Sequence, residues 1–502
     1  MERKSLKICD IMIVFRCPRN VTGFSLLNFV TTSFVLFFLP VLCIGWLLRS
    51  RSAAYKYLLI AAGLFFYGNL GLEYLILLLS VAFLNWGSAA LLEKSSRGFS
   101  GKLIVAADVS IHVLILAFFK YAESFFLWLN DSMGQDSPLR HWLLESGAGD
   151  IVLPAGLSFY TFQGLSYVID HFRNPDHRAR SFADVLAYVS FFPTIMAGPI
   201  MREQDFFPQL QEQQNDQRAF NEGMALILSG LFKKVALATY LSEHVVDPFF
   251  RDPESYSSGI ALVGIYAYSI QIFLDFSGYS DLAIGIGRLM GFKLPMNFDS
   301  PYRALNLQDF WHRWHISLSR WLRDYLYIPL GGNRRGNRYV NLTLTMIIGG
   351  IWHGNSINFL IWGFFHGIGL VIVHAFGQIK KKLNLSTASQ PNKLLSILSW
   401  LLTFHFVTLL WVFFRAKDFD EALHVLRAVV SAHEGAAIPS MAVLIILLGL
   451  FMQWIGPACF RAFTGLQNRL PWPVQAIIVG LLGGIILSIG PEGVLPFIYF
   501  NF

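Results

Sequence analysis

The sequence predicts an all-α, polytopic membrane protein. Hydrophobic residues make up 54% of the chain and charged residues only 14%, whereas roughly a quarter of an average soluble domain is charged. Uncharged stretches of about 20 residues, the length that crosses a hydrocarbon core, recur along the chain. This combination is typical of an integral membrane protein with several spans.

Two sets of segments are expected to lie in the membrane. The long uncharged stretches are Leu26–Leu48, Tyr74–Leu92, Ser255–Leu274, 339–379, Leu394–Phe414, Gly435–Phe460 and Pro471–Pro491. The shorter or interrupted candidates are Tyr57–Leu72, Leu103–Leu129, Ile151–Ile169, Val185–Ile200 and Met224–Leu241. Together they predict roughly eleven to thirteen membrane segments.

Composition also indicates the domain organisation. Residues 1–22 mix Lys and Arg with short apolar pieces, so we expect an N-terminal extension there and a single membrane domain over 23–502.

The four cysteines show neither metal spacing nor a pairing pattern. The net charge of +7 is attributed to the Lys and Arg excess of cytoplasmic loops, and nucleic-acid binding is not expected.

The most basic region runs from Arg288 to Arg338 and is expected to face the cytoplasm. Its middle predicts one continuous amphipathic helix, because Asn306 and Asp309 resemble an N-terminal cap and Pro329 precedes a Gly-Gly pair at the far end. An aromatic stripe suited to the headgroup boundary follows one face. Its members are Trp311, Trp314, Trp321 and Tyr325.

Two histidines draw attention for their surroundings. His353 lies within the charge-free stretch 339–379, between Trp352 and Gly354. An ionisable group at membrane depth is a functional candidate, and imidazole titrates near neutral pH. His315 lies beside the aromatic stripe and is expected to point into the protein. The remaining apolar-segment histidines are interpreted as hydrogen-bonded packing residues: His112, His366, His374 and His405.

The chain resembles the membrane-bound O-acyltransferase (MBOAT) family, and within it the bacterial alginate O-acetylase branch. The resemblance is carried by Asp-Phe-Ser-Gly-Tyr-Ser-Asp at 275–281, Trp-His-Arg-Trp-His-Ile-Ser-Leu-Ser at 311–319, Tyr-Ile-Pro-Leu-Gly-Gly-Asn at 327–333 and Trp-His-Gly at 352–354. Phe-Phe-Leu-Pro at 37–40 and the closing segment 496–502 are also similar to that branch.

This resemblance implies a ring of tilted helices with a cytoplasmic funnel, and a catalytic segment at about 270–375. It implies His353 as the catalytic histidine and His315 as a second site histidine. The implied function is O-acetylation of an exported polysaccharide from the bacterial inner membrane. Alginate is the first choice of polymer, and cellulose or another exopolysaccharide the alternative. Acetyl-CoA is the implied donor, and no permanently bound cofactor is expected.

The chemistry agrees with the residues. Attack of a hydroxyl on a thioester needs a general base, and a partly buried histidine stays neutral near pH 7. Asn333, Arg334 and Arg335 could offer amide and guanidinium groups to coenzyme A phosphates. The alternative for these three residues is an ordinary cytoplasmic turn.

Other interpretations stay open at this point. His312 and His315 have a spacing that can bind a metal, but carboxylates and thiolates are missing nearby and Arg313 would oppose a cation, so no metal is expected. Asp275 and Asp281 could line the funnel or hold structure. A proton-coupled transporter is the alternative function, although no half-chain repeat is evident.

A partner protein is also expected. Membrane segments and short connections account for nearly all residues, and no Gly-x-Ser-x-Gly motif is present. We therefore expect a periplasmic or membrane-anchored acetyltransferase or carrier to complete the modification of the polymer.

Overall fold

The structure, a computed structural model, describes residues 27–95, 98–133, 137, 151–174, 176, 178–212, 216–383, 392–431 and 434–489. The expected extension 1–22 and the closing segment 496–502 lie outside the described residues. The chain divides into two compact units, one up to Gln213 and one from Gln214. The single domain expected over 23–502 stays a prediction.

The described part of the first unit consists mainly of helices. Its helices are α1 (Thr32–Leu48), α2 (Ser52–Gly68), α3 (Leu72–Lys94), α4 (Phe99–Ser132), α5 (Leu157–Arg173), α6 (Phe182–Val189), α7 (Phe192–Ile195) and α8 (Glu203–Gln211). A capping box of Ser181 and Asp184 begins α6. Asp184 also accepts a 2.9 Å hydrogen bond from Lys56, which ties α6 to α2.

The second unit is helical as well, apart from one isolated bridge between Tyr256 and Ala436. Its helices are α9 (Gln217–Arg251), α10 (Ser258–Leu289), α11 (Leu307–Arg313), α12 (Ile316–Leu322), α13 (Arg338–His353), α14 (Ile357–Lys382), α15 (Lys393–Arg415), α16 (Phe419–Ala428), α17 (Ser440–Gln467) and α18 (Trp472–Ile489). Segments of π-helix lie within α9 at Phe232–Ala238 and Ser242–Val246, and another follows α12 at Arg323–Tyr327.

The all-α polytopic class is confirmed. Within the described ranges, eight helices are long and apolar enough to cross a membrane: α3, α4, α9, α10, α14, α15, α17 and α18. Several other expected segments form shorter helices, among them α1 and α2 with 17 residues each. The expectation of eleven to thirteen segments counted these shorter helices as well.

The prediction of one membrane segment over 339–379 is wrong in detail, because this stretch forms a helical hairpin. Helix α13 ends at His353, and Ser356 begins α14 by accepting a hydrogen bond from the Asn358 amide. The two helices run antiparallel at very short separation. A Cβ built on Gly350 would lie 2.2 Å from the Phe359 carbonyl oxygen, and one on Gly363 would lie 2.4 Å from that of Met346.

The prediction of one continuous helix after Asn306 is also wrong. Its start is confirmed, since the Asn306 side chain accepts from the Asp309 amide. The helix then breaks, because His315 adopts the left-handed conformation, with φ of 41°. The aromatic stripe does not lie at a headgroup boundary, since Trp314 is 2% and Trp321 8% exposed. These rings pack inside the protein, on or next to the two short helices that flank the left-handed residue.

Helices α9 and α10 pack closely and are joined by ion pairs, including one of 2.9 Å between Glu222 and Arg288. Glycines face each other where they cross, and a Cβ on Gly230 would lie 2.6 Å from the Gly278 carbonyl oxygen. The π segment of α9 carries both lysines: Lys233 pairs with Asp281 at 2.7 Å, and Lys234 pairs with Asp275. These contacts favour the structural interpretation of the two aspartates.

We predict that Gly363→Ala destabilises the protein by roughly 1–3 kcal/mol, because the added methyl group must push α13 away from α14. The melting temperature of the detergent-solubilised protein measures this loss. Gly377→Ala is the matched control, since Gly377 lies on the same helix with nothing within 4 Å of an added Cβ. Equal melting temperatures for the two variants would contradict this account of the hairpin.

Candidate active site

His353 lies at the tip of the α13–α14 hairpin and is 5% exposed. Aromatic rings surround the imidazole at short centroid distances: Trp352 at 4.7 Å, Phe414 at 4.9 Å, Trp362 at 5.2 Å and Phe359 at 6.2 Å. Most of these rings meet it edge to face. Such an enclosure keeps bulk water away from the imidazole.

The hairpin tip is fixed to the end of α15. The Asn358 side-chain amide donates to the carbonyl oxygens of Ala416 and Asp418, at 3.0 and 2.8 Å. Asn358 is fully buried, so these bonds are shielded from competing water. They keep Phe414 of α15 against His353, and the position of this histidine therefore depends on α13, α14 and α15 together.

One aromatic cluster connects His353 to the chain around His315. Trp411 of α15 contacts Phe414 at 5.2 Å and Trp362 at 6.0 Å, both of which are neighbours of His353. The other side of Trp411 meets Trp314 at 4.8 Å, and Trp314 directly precedes His315. The two predicted site histidines thus belong to one packed region of the second unit.

His315 is buried against α10 and has an unusual backbone conformation. Its ring meets Phe276 of α10 edge to face at 4.7 Å, and the residue is 1% exposed. Its backbone conformation is rare for a residue with a Cβ and costs roughly 1–2 kcal/mol. The flanking chain must supply the contacts that maintain it.

Asn297 supplies several of these contacts. Its backbone carbonyl oxygen accepts from the Ile316 amide at 2.9 Å. Its side-chain oxygen accepts from the Ser317 hydroxyl at 2.6 Å and from the Ser317 amide at 3.3 Å. Its side-chain nitrogen donates to the Ser280 hydroxyl of α10 at 3.2 Å. Asn297 therefore joins α10 to the residues that immediately follow His315.

The electrostatic state of His315 follows from its burial, which lowers the pKa of this imidazole to about 3. The ordinary value is about 6.5. His315 is therefore neutral at pH 7, with one ring nitrogen able to donate a hydrogen bond and the other able to accept one.

A cavity of about 410 Å³ lies beside this region. It is large enough for part of a cofactor-sized ligand. Its apolar part includes Trp311, Met346 and Leu370, and its polar part includes His312, Asn333 and His374 together with Arg320 and Arg323. Ile316 also lines it, next in sequence to His315. The cavity is thus lined by cationic, polar and apolar residues, and Trp311 connects it to the aromatic cluster through a 5.7 Å ring contact with Trp362.

The predicted donor-binding residues differ in their relation to this cavity. Asn333 lines it and accepts a 2.7 Å hydrogen bond from the Tyr327 hydroxyl. Arg334 and Arg335 are exposed in the adjoining turn and do not line it. Sequence reasoning missed Arg320 as a candidate. The available signal was its spacing: Arg320 lies one helical turn after Ile316 and therefore on the same face of the helix, beside the cavity.

Arg320 and Arg323 are not equivalent. Arg323 pairs with the neighbouring Asp324 through two hydrogen bonds of 2.6 and 3.1 Å. Arg320 is exposed, and no carboxylate pairs with it within the part of the chain that the structure describes. Arg320 is therefore the guanidinium of this cavity that remains available to an anion.

The four histidines that were expected to be packing residues differ in their surroundings. The packing interpretation is supported for His112 and His405, whose Nδ1 atoms contact carbonyl oxygens at 2.8 Å. His374 lines the cavity instead. His366 is fully buried in ring contact with Trp311 and Trp362, and over the described ranges neither of its nitrogens has a hydrogen-bond partner.

The structure separates the pair of histidines that had metal-binding spacing. His312 is exposed and lines the cavity, whereas His315 is buried against α10. Across the residues that the structure describes, no group of three or more His, Cys, Asp or Glu side chains could hold a metal ion.

The fold and site define a multi-pass membrane protein whose buried histidines lie beside an amphipathic cavity. A profile of the membrane-bound O-acyltransferase family matches residues 173–414. The chain is 36% identical over 437 residues to the peptidoglycan O-acetyltransferase of Helicobacter pylori, which covers 80% of each protein. The chain therefore belongs to the MBOAT family and is an O-acyltransferase.

Two further relatives indicate the range of polymers in this group. A Pseudomonas putida protein that carries the name probable alginate O-acetylase is 36% identical over 411 residues, covering 80% of each chain. The teichoic acid D-alanyltransferase of Streptococcus thermophilus is 32% identical over 244 residues, covering 46% of this chain and 59% of the relative. Membership of this family places the chain among bacterial multi-pass membrane enzymes and disfavours the transporter alternative.

The lowered pKa of His315 predicts a specific loss of stability in mild acid. Between about pH 6.5 and pH 3 the unfolded chain binds a proton at this residue while the folded protein does not, so stability falls as pH falls. His315→Asn removes this contribution, and Asn tolerates the left-handed conformation. We predict a smaller drop in melting temperature from pH 7 to pH 5 for His315→Asn than for the wild type. Equal drops would contradict the assignment.

Proposed function

We propose that this enzyme transfers acetyl groups from a cytoplasmic thioester, acetyl-CoA, toward the far side of the membrane for O-acetylation of an exported polysaccharide. The observation that carries the proposal is the position of His353, a buried imidazole at a hairpin tip in the aromatic cluster beside the cavity.

His353 acts as the general base in the proposed reaction. It takes the proton of the acceptor hydroxyl while that oxygen attacks the thioester carbonyl carbon, so that a C–O bond forms and the C–S bond breaks. The proton then passes to the departing thiolate, which leaves as coenzyme A. A positioned base of this kind contributes roughly 10²–10⁴-fold. Neutral His315 orients or polarises a reacting group.

The cavity is the proposed donor site. Coenzyme A carries phosphate groups at one end and a thioester at the other, and the cavity is lined by both cationic and apolar residues. Arg320 is the proposed phosphate-binding residue, because a guanidinium group suits phosphate geometry. This assignment adds Arg320 to the earlier candidates Asn333, Arg334 and Arg335.

Alginate is the proposed polymer, supported by the similarity to alginate O-acetylases. Peptidoglycan is a second candidate, supported by equal identity to the Helicobacter pylori enzyme over a slightly longer stretch. The O-acetyl content of alginate and of peptidoglycan, each isolated from cells with and without the enzyme, distinguishes the two candidates. Loss from one polymer alone identifies it as the substrate.

An extracytoplasmic transferase or carrier is proposed to complete the modification. Helices and short connections account for nearly all of the described chain, and the proposal therefore assigns binding of the long polymer to a partner. Efficient acetylation of polymer by the purified enzyme and acetyl-CoA alone would contradict this division of labour.

We predict that His353→Ala abolishes polymer acetylation while protein abundance and melting temperature stay close to those of the wild type, because the variant loses its general base but keeps the surrounding rings. His315→Ala is expected to lower activity strongly and leave residual turnover. Acetyl content of polymer from cells with matched expression measures both. Wild-type acetylation by His353→Ala would end its assignment as the catalytic base.

A second prediction separates the candidate donor residues. Arg320→Gln is expected to raise the KM for acetyl-CoA roughly tenfold or more with little change in kcat, because it removes a charge-assisted hydrogen bond to phosphate. Arg334→Gln and Arg335→Gln provide the comparison, and exposed Arg251→Gln controls for loss of one positive charge. A rise in KM for the Arg334 or Arg335 variants alone would move the phosphate site to that turn.

A further inference from the structure

The motif at 275–281 has a structural relation to His315 that its sequence does not reveal. Its aspartates are anchored to the π segment of α9 by Lys233 and Lys234. Two other residues of the motif make contacts near His315. The Phe276 ring contacts the His315 ring, and the Ser280 hydroxyl accepts a hydrogen bond from Asn297.

Phe276 restrains the imidazole directly. Its ring meets that of His315 at 88° and 4.7 Å, and both residues are essentially buried. An edge-to-face contact of this kind favours a particular relative orientation of two rings. Phe276 therefore limits rotation of the His315 side chain.

Ser280 acts on the backbone through Asn297. The Ser280 hydroxyl accepts from the Asn297 side chain at 3.2 Å, and the oxygen of that side chain accepts from the Ser317 hydroxyl at 2.6 Å. The three residues are buried, so water does not compete well for these bonds. This series of hydrogen bonds ends at Ser317, two residues after His315, whose backbone is left-handed.

We infer that the segment Asp275–Asp281 is a positioning element for His315: the ion pairs anchor it to α9, Phe276 orients the imidazole, and Ser280 with Asn297 maintains the left-handed turn. This inference rests on the proposed role of His315 in acyl transfer. Ser280, Asn297 and Phe276 are positioning residues, because each acts on the reaction through His315.

The motif provides its own matched control. Ser277 and Ser280 are both buried on α10, each 1% exposed. The Ser277 hydroxyl has no hydrogen-bond partner over the described part of the chain, whereas Ser280 holds Asn297. Replacing each by alanine removes the same atom, and only Ser280→Ala breaks the connection to His315.

The experiment measures kcat and KM for acetyl-CoA with the full-length purified enzyme and a detergent extract of the host envelope as the source of acceptor. We expect Ser280→Ala to lower kcat roughly tenfold with unchanged KM, Ser277→Ala to match the wild type, and Ser280→Thr to recover most of kcat by restoring the hydroxyl. In a His315→Ala background, Ser280→Ala is expected to cause no further loss, because the residue that it positions is already gone.

Several results would overturn the inference. Equal kcat for Ser280→Ala and Ser277→Ala, with His315→Ala impaired, would refute the positioning role and leave the proposed function intact. An equal loss from Ser280→Ala with and without His315 would show that Ser280 acts elsewhere. If Ser280→Ala does not accumulate, Ser317→Ala is tested instead, because it removes the hydrogen bond from Ser317 to Asn297. Its kcat and KM are then compared in the same way, with and without His315. Full activity of His315→Ala would instead contradict the proposed role of His315 itself.

Discussion

The close approach of α13 and α14 is the constraint on which the candidate site depends. Glycines at 350 and 363 allow the two backbones to pack at a distance that any side chain would prevent. This contact holds His353 at the hairpin tip, where Trp362 of α14 and Phe414 of α15 enclose it. The small residues thus determine where the imidazole lies, and the large aromatic residues determine its solvent exposure.

A second constraint acts at His315, where the chain adopts a conformation that its side chain disfavours. The network of Asn297, Ser280 and Ser317 compensates by satisfying buried polar groups on both sides of the turn. Residues in sparsely populated backbone conformations cluster at active sites. The ion pairs between α9 and α10 extend this support to a part of the protein distant in sequence.

The sequence predicted the class of protein and the cap at Asn306 because both depend on composition or on neighbouring residues. The hairpin at 354–356 was missed, although Gly354-Asn355-Ser356 is a typical turn sequence, because the apolar stretch continues through it. The break at His315 had no local signal, since residues other than glycine seldom adopt positive φ. The cavity could not be predicted, because Arg320, Asn333 and His374 meet only through tertiary packing.

Acyl transfer by the proposed base mechanism needs no transmembrane gradient, whereas a proton-coupled transporter would depend on one. The most direct measurement uses purified protein in detergent, where no gradient exists, with radiolabelled acetyl-CoA and a detergent extract of the host envelope as the source of acceptor. We predict that label enters an alkali-labile ester in proportion to the amount of enzyme. Incorporation of label only in sealed vesicles that carry a gradient would contradict it.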